Sequence, residues 1–499
     1  MTVAASSESQ GGAHVGWWMR RSSVCIGISA LAVILRAPTL VVRRLFDADE
    51  AAIGVQAMVV RAGGTLYTDI FDRKPPLPPL LYAASFSVTD STDVRPMRVL
   101  VLVLLALCGV LVAMEFWRRS GPVAAWCGGI LMVTGAMALF PTDAGAANYA
   151  HFALLPGTAA ILWSRRGTLG GAVAAGVAIG LAILTRQSWL LGVVPACFSI
   201  GLHGRWRNIV PFLVAAAATI ATTGFYAPFG RFWEWNVTNS PGFVFAGTNL
   251  WSAAAKGLAS VVGFVAFHPV ATAAAGLSAA TAMSALKRRT LPDDIDLWLW
   301  IASGLAAWAA GLRFFGHYWL QVVPPLVILA VPQVSHWTGR ARRKAIGAVA
   351  VPALVAWALL FVPGSFHHRP DPTDLVTFVR THTASTDRVF IWGSYPEVLL
   401  AADRLPAGGL VHTDFVVGRS GGRTDPATTL ADALPEARQI MLASLLRTPP
   451  LLILDTSTSS RLGYSKYPTS LVPDLDRFIH EGYRQVDVVD GVTIWERLP

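Results

Sequence analysis

Charge is scarce in this chain, and cysteine scarcer. Asp, Glu, Lys and Arg make up 14% of the 499 residues against 54% hydrophobic, at a mean hydropathy of +0.50. That balance excludes a soluble enzyme with one anchor and specifies a polytopic membrane protein. The four cysteines, Cys25, Cys108, Cys127 and Cys197, all fall in apolar runs and none follows Pro363, so no disulfide framework or zinc spacing exists. A glycine-rich phosphate loop, a Ser-His-Asp signature and internal repeats are missing too. The net charge of +10 and pI near 9.8 do not point to nucleic acid, because the basic residues stand in short clusters between apolar runs, where they read as topology signals.

What charge there is concentrates in residues 43–82, between two strongly apolar segments. A first span over 22–42 delivers the chain across a bilayer, so this loop begins at a membrane face. Asp47, Asp49 and Glu50 stand where that span ends and a short interfacial helix, 50–60, is expected. The positive end of the helix dipole is expected to keep these carboxylates ionised, able to accept a hydroxyl proton or hold a metal. Their simpler reading is an N-cap with dipole partners. The loop ends in Asp72-Arg73-Lys74-Pro75-Pro76-Leu77, two cations followed by prolines that stiffen the backbone. Fixed cations suit a phosphate; headgroup anchoring is their plainer role.

Further spans are expected at 97–117, 122–140, 149–163, 169–184, 188–202 and 209–229. The run 253–287 is too long for one span and divides at His268-Pro269 into an interfacial helix and an eighth span, followed by 297–312, 318–334 and 345–362. Residues 76–88 are too short to cross and form an interfacial or re-entrant helix. With eleven spans and a cytoplasmic N-terminus, the clusters at Arg20-Arg21, Arg118-Arg119, Arg165-Arg166, Arg205/Arg207, Lys287 to Arg289 and Arg340 to Lys344 all fall inside. The loop 43–96, Asp143, Arg186, the aromatic loop 231–251, Arg313 to Tyr318 and the C-terminal region then share the outer face. Arg20-Arg21 precede the first span without a cleavage site, so it is read as an uncleaved helix behind a disordered cytoplasmic segment, 1–21. From residue 364 the composition becomes that of a small soluble α/β domain, with helices at 375–382, 396–403, 435–446 and 475–483, strands at 388–392 and 451–455, and a hairpin over 485–497 around Asp490-Gly491.

The order of an apolar helix, D-x-D-E, Gly-x-x-Tyr-x-Asp and Lys-Pro-Pro-Leu resembles the first extracytoplasmic loop of the GT-C glycosyltransferases, above all the protein O-mannosyltransferase and lipid A aminoarabinose transferase group. The segment Arg313-Phe-Phe-Gly-His317-Tyr318, with Pro324-Pro325 beyond it, resembles a second stretch of these enzymes. The resemblance implies a polytopic α-helical GT-C-like membrane domain over 22–363, entering from the cytoplasm, with the soluble domain 364–499 outside. It implies Asp49 at the acceptor site as general base, with Glu50 orienting, and Lys74 near the phosphate of a polyprenyl-phosphate sugar. Asp47, Tyr67, Arg73, Asp143, His151, Arg186, Arg313, His317 and Tyr318 complete the candidate substrate contacts. Asp69 and Asp72 read as turn residues, His151 more simply as a satisfied buried histidine, and Trp233, Trp235 and Trp251 as interfacial anchors before sugar-stacking platforms. A divalent cation is left open as a cofactor, with Asp47 and Asp49 as its ligands.

The activity the resemblance implies is inverting transfer of a sugar from a polyprenyl phosphate, mannose first and arabinofuranose or an aminosugar next, to an envelope glycan, glycolipid or protein at the extracytoplasmic face of a bacterial plasma membrane. Alternatives of another class are a transporter or flippase of lipid-linked saccharide and a non-catalytic scaffold. The charged cluster at one edge, rather than at the midplane of two repeated halves, argues against a transporter.

Overall fold

The structure, a computed structural model, describes residues 19–238, 249–362, 364, 370–419 and 430–499. The expected disordered N-terminal segment up to residue 18, the middle of the aromatic loop and most of the 363–369 junction lie outside the described residues.

Helix α1 (Arg21–Arg36) runs into a short α2 (Pro38–Val41), and the outer loop then folds as α3 (Ala48–Arg61) and α4 (Leu77–Thr89). Asp47 caps α3 by accepting from the Glu50 amide at 2.9 Å. Helix α5 (Arg95–Met137) covers the expected second and third spans, which are parted at Gly121, whose φ of 82° suits glycine. On its first half Val101, Leu105, Cys108 and Val112 are buried while Val99, Val103 and Leu107 stay exposed, a stripe suited to lipid. After α6 (Pro141–Gly145) come α7 (Tyr149–Ser164), α8 (Leu169–Thr185), α9 (Val193–His203), α10 (Ile209–Ala221) and α11 (Phe229–Trp233). Small residues set the spacing of α8 and α10: a Cβ on Gly176 would lie 2.3 Å from the Phe212 carbonyl oxygen, and one on Gly180 2.7 Å from Thr219 Cβ.

The run divided at His268-Pro269 forms α12 (Leu250–Phe267) and α13 (Pro269–Lys287). By length and composition both pieces are apolar enough to cross a membrane, as are Arg95–Met137, Trp206–Phe225 and Ile295–Leu312. Helix α12, expected as interfacial, thus meets the length of a span; its contacts are with the ends of its neighbours, Ser260 accepting from the Trp308 and Trp319 indoles and Gly257 facing Phe314. Helices α14 (Ile295–Ala309), α15 (Val323–Val334) and α16 (Gly339–Leu359) complete the apolar bundle.

Beyond it, α17 (Thr373–His382), β1 (Arg388–Trp392), α18 (Pro396–Ala402), β2 (Leu405–Pro406), α19 (Asp414–Val417), α20 (Pro435–Arg447), β3 (Leu452–Asp455), α21 (Pro473–Gly482), β4 (Tyr483–Val489) and β5 (Val492–Arg497) form an α/β layer. Its five-stranded sheet has the order β2-β1-β3-β5-β4, parallel through the first three strands and antiparallel in the hairpin. The two-residue β2 and the four-residue α19 carry no periodic signal and are additions to the expected elements. The outer loop packs on this sheet: Leu66, Tyr67, Ile70 and Phe71 share a core with Phe390, Trp392 and Phe415, and the Phe71 amide donates to the Gly409 carbonyl at 2.8 Å.

Candidate active site

Two buried arginines build the floor. Arg36, at the end of α1, donates to the carbonyls of Ala144, Gly145 and Ala146 at 2.6–3.1 Å. Arg98, on α5, binds both oxygens of Glu50 at 2.8 and 2.9 Å and donates to the carbonyls of Thr39, Val42 and Arg44. Glu50 also accepts from the amides of Phe46 and Ala147 at 3.0 and 2.8 Å, and both side chains of the pair are fully buried. The expectation that Glu50 orients the acceptor is therefore corrected: its oxygens are spent, and it is a brace between the first helix, the start of α3 and residues 144–147.

Above the floor the charged groups meet. Asp49, a third exposed, takes Lys74 Nζ at 2.6 Å, and the ammonium lies 4.8 Å from the centre of the Tyr149 ring. The Lys74 carbonyl accepts from the Tyr67 hydroxyl at 2.7 Å and the Arg73 carbonyl from Gln187 Nε2 at 3.1 Å, so the Arg73-Lys74 backbone is pinned from two sides. Tyr67 reaches its place through a positive φ of 61° and packs edge-on against Phe232. Asp72 is buried and accepts from the Arg73 amide at 2.7 Å and from Gln56 Nε2 at 3.1 Å. Asp143 accepts from the His317 amide and ring Nδ1, both at 2.8 Å, tying the segment after α5 to the segment before α15. The Arg186 guanidinium lies 4.2 Å over the Tyr318 ring and makes no hydrogen bond or ion pair of its own among the described residues.

The electrostatics divide the two aspartates. Burial pushes the Asp49 carboxyl up, but Lys74, His317 and Arg73 outweigh it and hold it below the usual carboxylate range. Burial and the charges of Asp49 and Glu50 push Asp47 well above that range, against the help of Asn148 and the Glu50 amide. The pull of the helix start toward ionisation, expected for the whole cluster, is thus opposed at Asp47 by burial first and by neighbouring like charge second. Burial works against the Lys74 ammonium, yet Asp49 and Asp72 raise it above the ordinary lysine value.

Asn148, which sequence reasoning passed over as a site residue, donates to Asp47 at 2.9 Å while its oxygen meets His151 Nδ1 at 3.0 Å. His151 is buried with Nε2 unpartnered among the described residues, so it is only half satisfied. Arg313 is buried and lies within electrostatic range of Lys256 on α12. Trp235 is wholly buried between Phe71 and Phe415, and so is neither an interfacial anchor nor a sugar platform, whereas Trp233 and Trp251 are exposed. No group of three or more His, Cys, Asp or Glu able to hold a metal occurs among the described residues, and the two carboxylates named for a cation are occupied by Lys74, the Glu50 amide and Asn148.

The chain shares its overall fold with solved structures of two other proteins. The aminoarabinose transferase ArnT from Cupriavidus metallidurans, solved bound to undecaprenyl phosphate, is similar over 97% of this chain and 99% of its own, at 13% identity and a TM-score of 0.60. The archaeal oligosaccharyltransferase AglB from Archaeoglobus fulgidus, solved with an inhibitory peptide and a dolichol-phosphate, is similar over 97% of this chain and 74% of its own, at 13% identity and a TM-score of 0.55. No family model and no curated protein matches.

Proposed function

We infer that this chain is an inverting glycosyltransferase that moves a sugar, mannose in the first instance, from a polyprenyl-phosphate donor to a hydroxyl of an envelope glycan, glycolipid or protein. The observation that carries the reading is the convergence of Lys74, Arg186 and His317 on Asp49 beside a bundle with the fold of lipid-phosphate-binding proteins.

The acceptor oxygen attacks the anomeric carbon as its bond to the phosphate oxygen breaks, the proton passes to Asp49, and the phosphate departs with the bonding pair. That leaving group needs no acid; it gains from fixed positive charge as its own charge develops. Lys74 and Arg186 supply it. A carboxylate held low by Lys74 is a weak base, and a phosphate drawing the ammonium away would leave Asp49 more basic at the moment the acceptor hydroxyl needs it. The ion pair is in this sense the resting state of the site.

The proposed arrangement puts the N-terminus inside and the C-terminal domain outside, on the strength of the cation clusters between the apolar runs. Asp143 pairs with His317, Arg186 stacks on Tyr318, and the C-terminal sheet packs on the outer loop, so all these segments share one face. That requires 250–287 to cross once in net, with α12 lying near the outer ends of its neighbours, and gives eleven crossings. The plasma membrane is the proposed location, with the site on the extracytoplasmic face. Phosphorus NMR of undecaprenyl phosphate added to the detergent-solubilised chain tests the phosphate assignment: the bound signal is expected for wild type and lost in the Lys74→Gln/Arg186→Gln variant. An unchanged signal in that variant would refute it.

A further inference from the structure

A second polar cleft opens away from Asp49, between the turn that follows α3 and the edge of the C-terminal sheet. It encloses about 250 Å³ and is lined by Gly63, Gly64, Asp69, Arg388, Gly409, Ser444 and Arg447 among others. Its charges come from three places far apart in the chain. Arg388 begins β1 and donates across the sheet edge to the Pro406 carbonyl at 3.0 Å. Arg447 ends α20 and is exposed, and its guanidinium has no hydrogen bond or ion pair among the described residues. Asp69 stands opposite, one of its oxygens engaged by the Thr65 amide at 2.8 Å. Gly63, at a φ of 87°, has open space where a side chain would begin.

Each group has an ordinary explanation alone: a cation closing a helix C-terminus, a brace on an edge strand, a turn aspartate. None of these explains why two guanidiniums against one carboxylate border the same polar hollow. Its volume is below the roughly 300–1,000 Å³ of sites that bury drug-sized ligands, so it suits one ring and not a chain. Arg presents paired donors to oxyanions, and Ser444, Thr448 and the backbone of the glycines add groups that suit hydroxyls.

We propose that this cleft binds a single sugar unit bearing a phosphate or carboxylate, the acidic unit of the acceptor. The assignment to the acceptor rests on the transferase reading above; the site itself does not. One turn borders both the cleft and the donor side: Asp69 lines the cleft, and Tyr67, two residues earlier, donates to the Lys74 carbonyl.

The test is calorimetric titration of the detergent-solubilised full chain with glucose 6-phosphate, glucuronate and glucose, in wild type, Arg447→Glu, Arg388→Gln/Arg447→Gln and Lys74→Gln. The proposal expects at least one of the two acidic sugars to bind wild type, with glucose at least tenfold weaker. It expects affinity to fall tenfold or more in Arg447→Glu, an exposed position that leaves folding intact, and in the double variant. Which acidic sugar binds separates phosphate from carboxylate. Lys74→Gln is expected to bind as wild type does, which separates this cleft from the donor phosphate site and lets the transferase reading fail without it. Absence of binding to wild type, equal binding by Arg447→Glu, or loss in Lys74→Gln alone would overturn the proposal.

Discussion

At the scale of single residues, Asp49 and Lys74 define each other, and the pH dependence of the site follows. Asp49 is held low by its partner, so Lys74→Gln is expected to move the acid limb of kcat/KM to higher pH and to slow transfer by about 10²–10³, the cost of removing one fixed donor to a developing charge. A pH–rate profile of the variant checks both. The same shift is a statement about stability: the share due to ionised Asp49 is present above the free carboxyl value of about 3.9 and is lost as pH falls through its depressed folded value. Glu50 behaves otherwise. Arg98→Met leaves a buried carboxylate with only backbone donors, and is expected to cost about 3–5 kcal/mol, read as a lowered unfolding midpoint in detergent. The sequence made Asp49 and Lys74 legible because charge at an apolar boundary is expensive and so attracts notice. It could not assign Glu50, since the adjacent letters of a D-x-D-E cluster point in different directions on a helix and the partner, Arg98, is remote. Asn148 carried only a weak signal, a polar residue opening a helix after a run of alanines, and its bridge between Asp47 and His151 exists only once the helices pack.

At the scale of elements, apolar helices announced themselves by hydropathy, and the break at Gly121-Pro122 was legible because glycine and proline punctuate a helix. The strands at 388–392 and 452–455 were legible as short apolar runs. Two residues of β2 make no such run; they are a strand only because β1 lies beside them. Close helix approach was not read either, although Gly176 and Gly180 stand one turn apart on α8. The backbone of α10 occupies the space a side chain at 176 would need, so Gly176→Ile is expected to destabilise the bundle by about 1–3 kcal/mol, with lower yield of folded protein on size-exclusion chromatography. Gly170, whose added Cβ would meet nothing within 4 Å, is the control, and Gly170→Ala should leave the yield unchanged.

At the scale of the whole molecule, the loop that holds Asp49 is clasped between an apolar bundle and a polar sheet. Its lower side is pinned by Arg36 and Arg98 and its upper side by the core it shares with Phe390, Trp392 and Phe415. A site at this junction can meet a lipid from the side and a soluble group from above. The arrangement predicts that alkaline phosphatase, which is active only outside, works when fused after residue 499 and fails when fused after residue 289; the reverse pattern would invert the topology. The central claim is narrower: Asp49 removes the acceptor's proton as a sugar leaves a polyprenyl phosphate. Transfer from radiolabelled polyprenyl-phosphate mannose in solubilised membranes, comparing wild type with Asp49→Asn at equal expression, tests it most directly. The account predicts transfer by wild type and a rate lower by about 10²–10⁴ in the variant; transfer at the wild-type rate by Asp49→Asn would contradict it.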